Sequence, residues 1–283
     1  MTRRFRLVDV FSSVPFGGNP LAVVVDAEGM STADMQRFTR WMNLSETAFL
    51  LPPTNPDADY RVRIFTLARE LPFAGHPTLG SCHTWLATGG TQRHHDRIIQ
   101  ECGAGLVEIR LTDDELAFAA PPLIRGGPVE PGLRDQLPAI LGLQPDQIID
   151  CRWIDNGPGW LGVLLPDADT VLSVRPDVGQ YTGDGSLDIG LIGPHPEGSQ
   201  WAFEIRGIFS DEAGSLREDP VTGSLNASAA QWLFETGRAS SPYVARQGTV
   251  LGRQGRVCAQ QDDDGAVWIA GVSVTRVEGA LHS

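Results

Sequence analysis

The stretch Glu70-Leu71-Pro72-Phe73-Ala74-Gly75-His76-Pro77-Thr78-Leu79-Gly80 returns in altered form as Glu218-Asp219-Pro220-Val221-Thr222-Gly223-Ser224-Leu225-Asn226-Ala227. In each copy a Glu and a Pro lead through a small residue and a Gly to a residue that reads as a helix cap. His76 holds that slot in the first copy, with Pro77 at the favoured first helical position; Ser224 holds it in the second. Behind each cap the apolar residues fall at helical spacing: Leu79, Cys82 and Leu86, then Leu225, Ala229, Trp232 and Leu233. Gly89-Gly90 and Gly237 mark the two helix ends. A glycine-led helix N-terminus offers free backbone N–H groups and a positive dipole end, so a matched pair can hold a carboxylate without a Lys or Arg.

The flanking elements repeat as well. In the first half, residues 5–11 alternate as a strand, and Gly17-Gly18-Asn19-Pro20 turns them into the apolar run 21–25. Ser31 with Asp34 three residues on starts a helix whose buried stripe is Met35, Phe38 and Met42. Asn43-Leu44-Ser45-Glu46 leads into a short buried strand at 47–51, and 60–65 alternates again and feeds the first signature. Strands at 98–102, 106–111 and 116–119 follow, joined by Gly-rich and Asp113-Asp114 turns. The second half retraces this order with strands at 148–154 and 160–165, a helical segment at 168–174, strands at 187–192 and 201–209, and the second signature. Strands at 243–246, 256–260 and 267–274 close it. The expected division is an N-terminal lobe at 1–120, a Pro- and Gly-rich link at 121–145 and a C-terminal lobe at 146–283, whose last residues could return to the first lobe. Trp41, Trp85 and Trp232, at helical positions, read as core.

A net charge of −13 argues against nucleic acid and against anionic membranes as partners, and makes local helix ends the means of holding an anionic substrate. The four cysteines lie far apart with no CxxC pair, as in a reduced, cytoplasmic protein. The N-terminus runs into a strand pattern rather than a signal peptide, and no apolar stretch is long enough to span a membrane. There is no nucleotide-binding glycine fingerprint after the first strand, no Schiff-base lysine context and no metal-ligand spacing, so no cofactor and no metal are expected.

Five segments together resemble the PhzF-like (phenazine biosynthesis) family: Phe16-Gly17-Gly18-Asn19-Pro20, Asn43-Leu44-Ser45-Glu46-Thr47, the two signatures, and Gln247-Gly248 with Gly252-Arg253-Gln254-Gly255. The resemblance covers nearly the whole chain. It implies the α+β diaminopimelate-epimerase-like fold: two pseudo-symmetric lobes of mixed β-sheet, each wrapped around a central α-helix, with the active site in the cleft between them. It further implies Glu46, His76 and Asp219 as catalytic residues and Asn19, Gly75, Thr222, Gly223 and Ser224 as substrate-binding residues. Leu67 stands where many relatives carry Pro, outside the expected chemistry.

On residue type alone each candidate has a plainer reading. Glu46 is either a proton carrier or a solvated carboxylate at a strand edge. His76 at a helix N-terminus would stay neutral, as a relay or as a simple cap. Asp219 before Pro220 could be a turn carboxylate, and Ser224 could cap its helix whatever else it does. The fold's cofactor-free racemases carry a Cys in each signature loop; here neither loop has one, which disfavours two-thiol racemisation. One carboxylate on one face fits a same-face proton shift on a small carboxylic acid, the work of an isomerase. The alternatives are a racemase or epimerase of the same fold, a metal site built on Glu46, His76 and Asp219, or a non-catalytic binding protein. The His94-His95 pair reads as solvated, a homodimer is allowed for, and residues 183–185 and 211–216 are expected to decide the substrate.

Overall fold

The computed structural model describes residues 2–112, 115–183, 187–210 and 216–282; the Asp113-Asp114 turn and most of the two expected specificity loops lie outside them. The chain divides into two compact units, one of residues 1–119 with 268–283, the other of residues 120–267.

Unit 1 runs β1 (Thr2–Val10), β2 (Asn19–Val24), α1 (Thr32–Met42), β3 (Glu46–Leu51), β4 (Tyr60–Thr66), β5 (Glu70–Leu71), α2 (Gly75–Ala87), β6 (Arg97–Cys102), β7 (Gly105–Leu111) and β8 (Leu116–Ala119). The pairings alternate in a set order: β1–β2 antiparallel, β2–β3 parallel, β3–β4 and β4–β5 antiparallel, β4–β6 parallel, then β6–β7–β8 antiparallel. Ser31 caps α1 by accepting from the Asp34 N–H at 3.1 Å, and Asn43 ends the helix in the left-handed region. Met35 buries its side chain with Val24, Phe49 and Phe65. Trp41, however, is 77% exposed: it is one residue off the buried stripe, with its ring beside Phe38 at the edge of the core.

Unit 2 contains β9 (Arg125–Pro128), α3 (Pro131–Arg134), α4 (Leu137–Leu141), β10 (Asp150–Asp155), β11 (Trp160–Leu164), α5 (Ala168–Ser173), β12 (Asp188–Pro194), β13 (Phe203–Ser210), β14 (Leu216–Asp219), α6 (Gly223–Glu235), β15 (Tyr243–Gln247) and β16 (Gly255–Gln261). Its pairings repeat the order of unit 1: β10–β11 antiparallel, β11–β12 parallel, β12–β13 and β13–β14 antiparallel, β13–β15 parallel, β15–β16 antiparallel. The duplication is therefore written in the hydrogen-bond ladders. The segment 121–145 is more than a link, since it forms β9, which pairs with β10, and contributes Leu137, Ile140 and Leu141 to the core of this unit.

After unit 2, the run 267–274 is broken at Val272 into β17 (Val267–Gly271) and β18 (Ser273–His282). β17 pairs antiparallel with β8, and β18 runs antiparallel along the length of β1, from Val10↔Ser273 to Thr2↔His282.

Both signature helices are buried nearly all round, α2 against β1, β2, β3, β8 and β18, α6 against β10, β12 and β16. Their small residues let the strands come close: a Cβ on Gly80 would stand 2.6 Å from Leu21 Cδ2. The expected caps are corrected. Ala74 and Thr222 occupy the N-cap positions, neither with a side-chain cap bond, and His76 and Ser224 lie inside the first turn. This frees both side chains from capping.

What holds each signature in place is an Arg on the strand before it. Arg206 on β13 grips Glu218 through Nε at 3.1 Å and Nη2 at 2.8 Å, and its Nη1 donates to the carbonyls of Val171 and Val174 at the end of α5. Arg63 on β4 grips Glu70 in the same bidentate way, Nε at 2.7 Å and Nη2 at 2.6 Å. The register explains the match: Phe65 pairs with Glu70 as Ile208 pairs with Glu218, so each Arg stands two residues before its partner's opposite number.

Candidate functional site

Two groups of expected site residues form, one in each unit. In unit 1, Glu46 opens β3 and His76 lies in the first turn of α2, with His76 Nδ1 3.4 Å from Glu46 Oε2. The His76 side chain is 5% exposed and that of Glu46 is 18% exposed. Burial drives the imidazole pKa down to about 3, against an opposing contribution from the Pro20 backbone, so His76 is neutral at any ordinary pH. Its Nε2 is buried and meets no hydrogen-bond partner among the described residues. A neutral imidazole beside a carboxylate can carry a proton one way or the other, and a charged one could not accept it.

The loop carrying Asn19 is set by Asp9. Its Oδ1 accepts the Gly18 N–H at 2.8 Å, and Arg276 Nε reaches its Oδ2 at 3.3 Å. A Cβ on Gly18 would stand 2.1 Å from the Val10 carbonyl oxygen, so no other residue fits there. Asn19 begins β2 and is fully buried, and Gly75 is the first residue of α2.

In unit 2, Asp219 ends β14, and Thr222 Oγ1 donates to its Oδ2 at 2.7 Å. Gly223 and Ser224 begin α6. Ser224 Oγ accepts the Trp160 indole N–H at 3.0 Å, which leaves the serine's own proton to be donated elsewhere. Thr222, expected as a substrate contact, is tied into the protein by its own polar groups. Its N–H goes to Gln247 Oε1 at 3.0 Å, its hydroxyl to Asp219, and its carbonyl accepts from Asn226 at 2.9 Å. All of its polar groups are engaged within the protein.

Three residues that support the site were not singled out from the sequence. Arg206 looks like any strand Arg until its partner's register is known; Trp160 looks like the apolar start of a strand. Gln247 is visible only as part of a Gln-Gly turn motif. Among the described residues, no three His, Cys, Asp or Glu side chains come close enough to hold a metal ion. All four cysteines are free thiols, and Cys82, seven residues after Gly75 in α2, is buried, its pKa pushed well above the usual thiol range by desolvation.

The model of the phenazine biosynthesis-like protein family, PhzC-PhzF, matches residues 8–279. An uncharacterized isomerase of Mesorhizobium japonicum is 56% identical, with 90% of this chain and 89% of that protein covered. The trans-2,3-dihydro-3-hydroxyanthranilate isomerase of Pseudomonas fluorescens is 34% identical, again over 90% of this chain and 89% of that protein. Among solved structures, a PhzF-family protein of Bacillus anthracis matches with a TM-score of 0.83 at 21% identity, each chain covered in full.

Proposed function

The chain belongs to the phenazine biosynthesis-like PhzC-PhzF family, and from that premise we propose that it is a cofactor-independent isomerase acting on a small carboxylic acid. Glu46 takes a proton from one carbon of the substrate, the double-bond electrons shift, and the proton is delivered to another carbon of the same face. Substrate and product have the same atoms, so no co-reactant is needed. His76 relays and Asp219 orients. Asn19 and the helix starts at Gly75, Gly223 and Ser224 hold the acid, while Thr222 supports Asp219 rather than touching the substrate.

The observation that carries this reading is the Glu46–His76 pair: 3.4 Å apart, the imidazole held neutral by burial, its Nε2 buried without a hydrogen-bond partner among the described residues. The lack of a thiol in either signature loop, with Cys82 buried and un-ionised, weighs against two-thiol racemisation. Given the name of the Pseudomonas fluorescens relative, trans-2,3-dihydro-3-hydroxyanthranilate is the first substrate to try. Glu46→Gln should cost about 10²–10⁴ in kcat, the usual loss for a general acid/base, with KM nearly unchanged. In deuterated water the product should carry label at the new C–H bond. Near wild-type turnover by Glu46→Gln would end the proposal.

A further inference from the structure

We infer that Gln247 is a positioning residue that sends the Thr222 hydroxyl proton to Asp219 and so keeps Asp219 a hydrogen-bond acceptor during the reaction; this rests on the role proposed for Asp219. Gln247 is fully buried at the end of β15, and its carboxamide uses every bond it can make. Oε1 accepts from the Thr222 N–H at 3.0 Å and from Asn226 Nδ2 at 2.8 Å. Nε2 donates to the Asp219 carbonyl at 3.2 Å and to Thr222 Oγ1 at 2.9 Å.

The orientation of this amide is not free. A backbone N–H only donates and a backbone carbonyl only accepts, so the Thr222 N–H demands Oε1 on its side and the Asp219 carbonyl demands Nε2 on the other. Nε2 therefore arrives at Thr222 Oγ1 as a donor, and the hydroxyl must receive it. Its single proton is left for the remaining neighbour, Asp219 Oδ2 at 2.7 Å, a short bond of the kind made to a carboxylate. Space is held for this chain of bonds by Gly207, where a Cβ would stand 2.7 Å from Thr222 Oγ1 and 3.4 Å from Gln247 Nε2. Charged groups on the surrounding elements include Glu204 and Arg206 on β13, Arg217 and Glu218 on β14, Arg246 on β15, Arg253 beyond it, Arg256 on β16 and Glu235 at the far end of α6, with Arg206 and Glu218 paired to each other.

The direct test is neutron diffraction on the deuterium-exchanged protein. The deuteron of Thr222 should lie on the line to Asp219 Oδ2; a deuteron pointing at Gln247 overturns the inference whatever the substrate proves to be. The kinetic test is a double-mutant cycle on trans-2,3-dihydro-3-hydroxyanthranilate. Thr222→Val should lower kcat about ten- to a hundredfold, the scale of one hydrogen bond to a charged group, with KM changed little. Thr222→Ser should restore most of the rate. Gln247→Met should cost a similar factor in the wild-type background and add almost nothing in Thr222→Val, because it acts through the missing hydroxyl. Equal losses in both backgrounds would mark Gln247 as a structural support only and overturn the inference. Should Gln247→Met fail to fold, the Val and Ser variants at Thr222 still decide: equal rates for the two refute a working Thr222-to-Asp219 hydrogen bond. Absence of wild-type turnover on this substrate counts against the proposed function alone, since the neutron density still decides the direction of the proton.

Discussion

Arg206 holds Glu218 through the Nε–Nη2 edge of its guanidinium inside unit 2, where the two side chains are 4% and 11% exposed. The corresponding pair in unit 1, Arg63 and Glu70, has the same geometry at 25% and 39% exposure. Identical bonds in different surroundings should differ in worth. Replacing Glu218 with Gln leaves a buried guanidinium without its charge partner and should cost about 3–5 kcal/mol in urea unfolding. Glu70→Gln leaves Arg63 in contact with water and should cost no more than about 1 kcal/mol. Equal costs at the two sites would contradict this account.

His76 should make the protein sensitive to acid. Its pKa in the folded state, about 3, lies below the ordinary value of 6.5, so the unfolded chain binds the proton more readily. Stability from this group is intact above pH 6.5 and drains away as pH falls toward 3. Between pH 7 and pH 4 the loss should reach about 3 kcal/mol, from 1.36 kcal/mol per pH unit below 6.5. Carboxylates titrate in the same range, so the measurement is the difference between wild type and His76→Gln, by urea unfolding at pH 7, 5.5 and 4. The difference should shift steadily in favour of the variant as pH falls; a flat difference would mean that His76 protonates freely in the fold.

Trp160→Phe removes the indole N–H that occupies an acceptor position of Ser224 Oγ. The serine then rotates among partners instead of presenting its proton in one direction. KM should rise about three- to tenfold, the scale of one neutral hydrogen bond, while kcat changes less. A fall in kcat at constant KM would place Ser224 in the chemical step.

Gly248 and Gly252 both have positive φ, +89° and +70°. An Ala at 252 meets nothing within 4 Å and should cost only the left-handed backbone, about 1 kcal/mol. An Ala at 248 would put its Cβ 2.6 Å from the Pro220 carbonyl and must push the second signature loop aside. Gly248→Ala should therefore lose both stability and turnover, and Gly252→Ala only a little stability, as thermal melting and initial rates would show.

Much of this was legible in the sequence because it depends on local rules. The signature pair, the helices behind it, the Ser31 cap and the glycine stops all follow from residues within a turn of one another. Glu46 and His76 are candidates through the motifs that carry them, whereas their 3.4 Å contact is a product of the fold. The remainder is non-local. Arg206 finds Glu218 through the β13–β14 register, Gln247 reaches Thr222 from the strand after the helix, and no periodicity announces either. Both caps lie two positions before the expected ones, because Gly75 and Gly223 read as loop residues yet lie inside the helices. Residues 273–282 carry no strand signal in the sequence because β18 is largely open to solvent, so its side chains do not alternate in the way that marks a buried strand.

The return of the chain to unit 1 has a consequence for its birth on the ribosome. The second partner of β8, beside β7, and the second partner of β1, beside β2, are both supplied by residues after 267. When residues 1–119 have emerged, two strand edges stand open, and all of unit 2 must be made before they can close. At 5–20 residues per second that wait is on the order of ten seconds. Throughout it the nascent first half offers unpaired N–H and C=O rows to any neighbouring strand. The unit 2 ladders from β9 to β16 use only residues 125–261, so they can pair while those two edges of the first half still wait.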